Sequence, residues 1–535
     1  MPSSPVEALD RKPSLAFQFV RENPNLVAAV GLLAAALVLR AVALGQPEVD
    51  VDEQFYLLVG DRMLHGLVPY VDIWDRKPIG LFLIYAAARA IGGTGITGYQ
   101  ILALLSAAAT AWVIRVTAIR LGSNQAGAWL GGLAYLLWIN LLGGVGGQAP
   151  VFFNLPMAIA ALMLVREVSA DARSPGTLVK AGLGSMTLVG IAIQIKYTAL
   201  FEGIFFGCAY LWLAFRDRFP LWKVATFGAG MITLALLPTA LATAFYWSIG
   251  HLHEFVFANF VSISGRLPLP RHEVVRRAST LALVLVPLMS LALLGLRFGV
   301  SAPEASQERG RRFVLAWLAV ATLVVIAFGY FFDHYGLPIA VPAALAAAPL
   351  LSNWRKTGIY IAGLFMIALI AGQALALDEI SSSGGWRTIR AIDRAGRSVS
   401  NCPFVYDGPS VIYVLRDWCT PTRYPFPYHL SYFPESRAMG IDVMSELGRI
   451  MRNHPGLVLI RQEPYPNENL AARALMLREL RRDYVIAGST PFHHSKLVIF
   501  RLRPGIVAEP NEVVRDLAKP ATGRTVSLLP AKIAR

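Results

Sequence analysis

The chain has 535 residues, 55% of them hydrophobic and only 16% charged, with a mean hydropathy of +0.51. Soluble domains carry about 25% charged residues, so this composition argues against a large soluble core. The formal net charge of +15 is read as membrane topology, because Lys and Arg collect in loops kept in the cytoplasm, and the aromatic–basic interleaving of single-strand binders is absent.

The first 24 residues are polar, with Arg11, Lys12 and Arg21 ahead of the first apolar run. They read as a cytoplasmic lead into an uncleaved anchor helix, not as a cleavable signal. A bilayer core asks for about 20 apolar residues per helix. Apolar runs predict helices at 25–45, 79–93, 98–118, 125–144, 150–167, 178–195, 198–215, 223–247, 278–297, 312–331, 335–351 and 358–377. Basic loops at Arg115–Arg120, Arg166–Lys180, Arg216–Lys223, Arg297–Arg312 and Arg355–Lys356 mark one common cytoplasmic side. The segments 46–77 and 248–277, the turn at Asp333–His334 and everything after residue 378 then face outward. One conflict stands. If 79–93 and 98–118 both cross, the arginines near residue 120 fall on the wrong side, so either 79–93 is too short to cross or the positive-inside rule fails once. An odd number of crossings, about 11 or 13, places the N-terminus inside and the C-terminus outside.

Past residue 378 the apolar runs shorten to strand length at Pro403–Tyr406, Leu457–Ile460, Tyr484–Ala487 and Lys496–Phe500, with helix-like segments near 441–453 and 467–482. This alternation predicts a small α/β domain. The expected architecture is a membrane all-α bundle of about 11–13 helices over 25–378, an extracytoplasmic α/β domain over 379–505, and a disordered tail over 506–535. Cys208 lies in an apolar run and reads as packing. Cys402 and Cys419 are too few for a structural zinc site, and on the oxidising side of a membrane they suit a disulfide.

The first outer loop carries the strongest chemical signal. Asp50, Asp52 and Glu53 follow the first helix, where carboxylates are costly unless solvated, paired or functional. Gln54–His65 reads as a short amphipathic helix lying flat at the interface, with Phe55, Leu58, Val59 and Met63 at helical spacing. From charge alone, an ordinary acidic loop explains the stretch equally well. In the second outer loop, His251, His253 and Glu254 precede Arg266, Arg271, His272, Arg276 and Arg277. Two readings stay open there: a clamp for anionic lipid, or a long loop that escapes the charge rule. The two histidines and Glu254 lack a third metal ligand. Lys196 and Glu202 sit at another outward turn, either functional or paired with each other. The aromatic stretch Arg416–Tyr428 suits either a carbohydrate surface or packing onto the membrane part.

Asp52-Glu53, the Gly66-Leu-Val-Pro69-Tyr70 turn and Lys77-Pro78 together resemble the GT-C superfamily of polytopic lipid-sugar glycosyltransferases. That superfamily includes protein O-mannosyltransferases and the bacterial aminoarabinose and galacturonic acid transferases that modify lipopolysaccharide. Asp333-His334-Tyr335 through Pro342 resembles a segment of its bacterial branch, and the resemblance covers roughly residues 25–350. The branch often carries Lys-Pro-Pro, where this chain has Lys77-Pro78-Ile79.

The resemblance implies an inverting transferase, hexosyl or pentosyl, in a bacterial inner membrane with its site on the outer face. It would move a monosaccharide from a polyprenyl-phosphate donor to an envelope glycan, glycolipid or protein acceptor, without nucleic acid. Asp52 would be the base, with Glu53 positioning it or holding a metal. Lys77, Arg266 and Arg271 would meet the donor phosphate, and Tyr70, Asp75, His334 and Tyr335 the substrates. No cofactor is demanded, and a divalent metal stays open. The sequence shows no Walker-type phosphate loop, as suits a donor that carries its own leaving group. A transporter or flippase of lipid-linked sugars is the alternative. It is disfavoured by the lack of an internal repeat and by carboxylates gathered at one surface. A scaffold with an outward interaction domain leaves the Asp52, Glu53 and Lys77 pattern unexplained.

Overall fold

The computed structural model describes residues 22–298, 304–397, 399 and 401–506. The expected N-terminal lead before residue 22 and the tail from 507 lie outside the described residues. Helices dominate in this order: α1 (Pro24–Arg40), α2 (Val51–Leu64), α3 (Ile79–Ala90), α4 (Ile96–Arg120), α5 (Gln125–Leu141), α6 (Ala149–Ser169), α7 (Pro175–Ile195), α8 (Ala199–Arg216), α9 (Leu221–Ser248), the short α10 (Leu252–Val256), α11 (Arg271–Phe298), α12 (Ala305–Phe328), α13 (Ala340–Leu351), α14 (Trp354–Ser383) and α15 (Gly385–Gly396). Among the described residues, nine helices are long and apolar enough to cross a membrane. The chain is a multi-pass membrane protein.

Side-chain contacts sort the helix ends into two sets. At one end, the Gln100 amide of α4 donates to the Gln46 carbonyl at 2.9 Å, and Arg40 of α1 donates to the Gly144 carbonyl at 2.6 Å. At the other, Arg115 donates to Asn25 at 3.1 Å, Asn124 to the Ser352 carbonyl at 3.0 Å, and Arg309 to the Val168 carbonyl at 3.1 Å. The basic loops lie at this second end.

Both ends of α3 lie at the first end, since Arg89 near its C-terminus pairs with Asp61 of α2 at 2.8 Å. Its 12 residues also span only about 18 Å at 1.5 Å per residue, well short of a hydrocarbon core of about 30 Å. Of the two alternatives for 79–93, the structure shows a helix too short to cross, a hairpin partner of α2, and Arg115–Arg120 falls at the same end as the other basic loops. The two helices pack closely because Gly60 has no side chain: a Cβ there would lie 2.6 Å from the Ala86 nitrogen.

The C-terminal part is a four-stranded sheet, β1 (Phe404–Val405), β2 (Leu457–Arg461), β3 (Tyr484–Phe492) and β4 (Ser495–Leu502), in the order β1-β2-β4-β3. β1 runs parallel to β2 and the other pairs are antiparallel. Between the strands lie α16 (Ile412–Leu415), α17 (Pro427–Ser431), α18 (Val443–Arg452) and α19 (Leu470–Asp483). Asp442 caps α18 by accepting from Ser445 N at 2.6 Å, and Asn469 caps α19. Cys402 and Cys419 form a disulfide. Cys208 faces outward from α8 as a free, exposed thiol and does not pack in the core.

This part sits on α2. Arg62 donates to Asp417 at 3.0 Å and to the Trp418 carbonyl at 2.7 Å, and the Phe55 and Phe426 rings lie 5.0 Å apart. Every residue of α2 from Glu53 to Arg62 is buried. The expectation that this helix lies flat at a lipid interface is overturned: α3 covers one side and the C-terminal part the other. Phe55, Leu57, Leu58 and Val59 are each at most 1% exposed, and each contributes about 1.5–3 kcal/mol by burial. The Arg416–Tyr428 stretch accordingly packs the C-terminal part onto the membrane part.

Candidate active site

The site forms where the first outer loop, the Gly-rich segment before α6, the α7–α8 turn and the segment before α13 meet. Asp50 is the N-cap of α2, its carboxylate accepting from Asp52 N at 2.7 Å. The cap fixes Asp52 in the first helical turn, where backbone N–H groups favour negative charge. Asp52 Oδ2 accepts from the Tyr56 hydroxyl at 3.1 Å and the Gln148 amide at 3.5 Å, and lies 3.9 Å from Lys77 Nζ. Burial raises the Asp52 carboxyl, but Lys77 and the two hydrogen bonds outweigh it and hold the carboxyl below its usual range. Asp50 is pushed up by burial and by the Asp52 and Glu53 charges. Of the two neighbouring carboxylates, Asp52 keeps the negative charge.

Lys77 owes its position to the turn before it. Tyr70, at a φ of 68°, donates its hydroxyl to the Lys77 carbonyl at 2.7 Å. Pro78 is the N-cap of α3 and disfavours a helical Lys77. The ammonium lies 5.2 Å from the Tyr56 ring centroid. Burial lowers Lys77, yet Asp52, Asp75 and Tyr335 raise it further, so it stays charged. Asp75 is 6% exposed and accepts from Arg76 N at 2.6 Å.

Glu53 is fully buried and turned toward the Gly146-Gly147 segment, where a Cβ on Gly146 would lie 2.1 Å from Oε2. Burial raises it to about 7 against the pull of the Gly147 N–H, Arg40 and Tyr99. Neither of its oxygens makes a hydrogen bond of ordinary geometry. Tyr70 is also fully buried and acts on the cluster through Lys77. His334 and Tyr335 lie in a 3-10 turn, their rings 5.0 Å apart. Burial and Lys196 push His334 down to about 3, so it is neutral.

Arg266 forms an ion pair with Glu435 at 2.9 Å and stacks on Tyr330, 4.1 Å from its centroid. Glu435 also accepts from Arg76 at 3.1 Å. Arg271 stays outside this arrangement, exposed at the start of α11. Of the predicted residues, Asp52, Lys77, Asp75, His334 and Tyr335 converge, Arg266 joins through Glu435 and Arg76, and Arg271 does not. His251 and Glu254 face each other at 3.5 Å. Among the described residues no group of three or more His, Cys, Asp or Glu side chains is placed to hold a metal.

Sequence reasoning missed Tyr56, Gln148, Arg76, Glu435 and His429. Tyr56 was within reach, one helical turn beyond Asp52. Gln148 carries only the weak signal of an amide at the end of a Gly-rich stretch. Glu435 meets Arg76 from 359 residues away, His429 comes from the same distant part of the chain, and no local pattern announces either. His429, 3% exposed, stands edge-on to Trp74 with centroids 4.7 Å apart.

No protein-family model and no curated protein matches the chain. Solved structures do. The crystal structure of ArnT from Cupriavidus metallidurans bound to undecaprenyl phosphate superposes with a TM-score of 0.56 at 13% identity, over 90% of this chain and 99% of that one. The same protein in its apo state gives 0.57 at 13% identity, over 93% and 100%. The chain has the GT-C fold. The likeness extends over both the membrane bundle and the C-terminal sheet. The Asp52–Lys77 cluster lies at the end of the bundle that carries the C-terminal part.

Proposed function

We propose that this protein is an inverting glycosyltransferase that moves a monosaccharide from a polyprenyl-phosphate donor to a cell-envelope glycan or glycolipid. The reading rests on one observation: an ionised Asp52 lies 3.9 Å from a charged Lys77 in a half-buried cluster. Displacement at an anomeric carbon needs both groups. A base takes the acceptor proton and a cation faces the departing phosphate. Asp52 is the base. Tyr56 and Gln148 hold its carboxylate toward the acceptor oxygen. Lys77 neutralises the donor phosphate, and Arg266 and Arg76, aligned by Glu435, extend the positive surface. Glu53 supports the wall behind Asp52 without touching substrate. A single displacement inverts the anomeric centre.

The likeness of fold to ArnT, solved with undecaprenyl phosphate, supports a polyprenyl carrier. The disulfide at the site end and the basic loops at the far end support an extracytoplasmic site.

The test uses purified protein in detergent with radiolabelled undecaprenyl-phosphate pentoses and hexoses and envelope lipid extracts. Transfer by the wild type and a loss of about 1,000-fold or more in Asp52→Asn are expected, since the reaction loses its base. Transfer that survives Asp52→Asn moves the base elsewhere. No transfer with any donor, together with lipid translocation in vesicles, favours a flippase and rejects the enzyme.

A further inference from the structure

Lys196 stands in the short turn between α7 and α8, at the site end of the bundle. Its ammonium lies over the Tyr335 ring, 4.8 Å from the centroid. With Thr198, Glu202 and Tyr335 it lines the polar end of a cavity whose other walls include Val325 and Phe328 of α12. Phe328 is 37% exposed on the outer surface of the bundle. The cavity therefore brings polar and apolar side chains together beside Lys196, at the site end of the bundle.

The charges in this cluster are unevenly matched. Lys77 has Asp52 at 3.9 Å, Arg266 has Glu435 at 2.9 Å and Arg277 has Glu273 at 2.6 Å. Among the described residues Lys196 has no acidic partner, and the Glu202 oxygen nearest a donor accepts from the Trp317 indole at 2.5 Å. Lys196 is half-buried, and cations drawn away from water are normally paired. Burial and the Lys77 charge push Lys196 down to about 7, against the pull of Asp52.

Taking the proposed reaction as given, we infer that Lys196 is a catalytic residue that meets the charge developing on the departing polyprenyl phosphate. The donor is a phosphodiester with one negative charge. As the anomeric carbon–oxygen bond breaks, its electron pair stays on the phosphate oxygen and adds a second charge. The acceptor oxygen bonds the anomeric carbon and its proton passes to Asp52. Lys77, shared with Asp52, answers the first charge. Lys196 answers the second, which exists only in the transition state and product. An interaction of that kind acts on kcat and leaves ground-state binding alone.

The experiment compares full-length wild type, Lys196→Gln, Lys196→Arg and Lys77→Gln in detergent, varying the undecaprenyl-phosphate sugar that turns over best. Lys196→Gln is expected to lower kcat about 100-fold with donor KM within about threefold, whereas Lys77→Gln raises donor KM. Lys196→Arg is expected to keep at least about a tenth of wild-type kcat, because the charge remains. A kcat in Lys196→Gln within about threefold of wild type, or a loss confined to donor KM, overturns the inference while leaving the transferase reading intact. If Lys196→Gln does not elute as a monodisperse protein, Lys196→Arg decides: unchanged KM and kcat within about tenfold supports the inference, and a change in KM alone overturns it. No transfer by the wild type overturns the proposed function, and this inference with it.

Discussion

Replacing Glu435 with Ala removes the carboxylate that joins Arg76 and Arg266 across the seam between the membrane part and the C-terminal part. Glu435 is 6% exposed, and its contacts run at 3.1 Å to Arg76 and 2.9 Å to Arg266. Two opposite unit charges 2.9 Å apart attract by about 6 kcal/mol at an effective dielectric of 20. Repulsion between the two guanidiniums and the desolvation of all three groups cancel roughly three-quarters of the summed attraction of about 11 kcal/mol. The net cost of leaving two half-buried cations unpaired is about 3 kcal/mol. If that energy closes the seam, local opening becomes about 100-fold more frequent, at 1.36 kcal/mol per decade. Hydrogen exchange read by mass spectrometry reports it: amides in peptides spanning 425–440 should lose about 100-fold protection, while peptides of α4 stay unchanged. Equal protection in wild type and Glu435→Ala would show that the seam is closed by packing, and would refute the electrostatic accounting.

Three further expectations follow from the same geometry. Gly146→Ala places a methyl 2.1 Å from Glu53 Oε2, so destabilisation of about 1–3 kcal/mol and a lower transfer rate are expected, read by thermal unfolding in detergent and by the transferase assay. Transfer requires ionised Asp52 and charged Lys196, among Lys77, Glu202, His334 and Tyr335 as the other facing groups. Asp52 lies below its usual range and Lys196 near 7, so the rate should stay level down to about pH 4 and fall above about pH 7. Lys196→Arg should remove the alkaline fall, and a fall that persists in that variant refutes the assignment. Replacing Cys402 and Cys419 together by Ser opens a loop of 17 residues and should cost roughly 3 kcal/mol, seen as earlier loss of the C-terminal part in thermal unfolding followed by proteolysis.

The membrane helices and the four strands are legible in the sequence because each is a local pattern: a long apolar run, or a short one between turn residues. The strand predicted at Leu457–Ile460 appears at Leu457–Arg461, and the helix near 467–482 at Leu470–Asp483. Where reading failed, the deciding partner was distant. The apolar periodicity of α2 reads as an interfacial helix because nothing local reveals that Phe426 and Asp417 will cover it. Composition leaves open whether the run at 79–93 crosses, because it does not record that Arg89 folds back to Asp61. In the site, Asp52 and Lys77 stand out through motifs within 26 residues, whereas Gln148 and Glu435 arrive by tertiary folding alone. Arg271 was chosen by charge, and it lies just beyond the turn that carries Arg266 inward.

The burial of α2 between two parts of the chain also bears on the order in which the protein is made. This helix emerges during synthesis well before the residues near 413–429 that cover one of its faces. Until they arrive, Phe55 and Arg62 have no partners on that side, and the first turn bearing Asp52 is held from one flank only. A chain interrupted before that point can insert its helices and still lack a settled α2. The placement of Asp52 is thus completed only after the C-terminal part has been made.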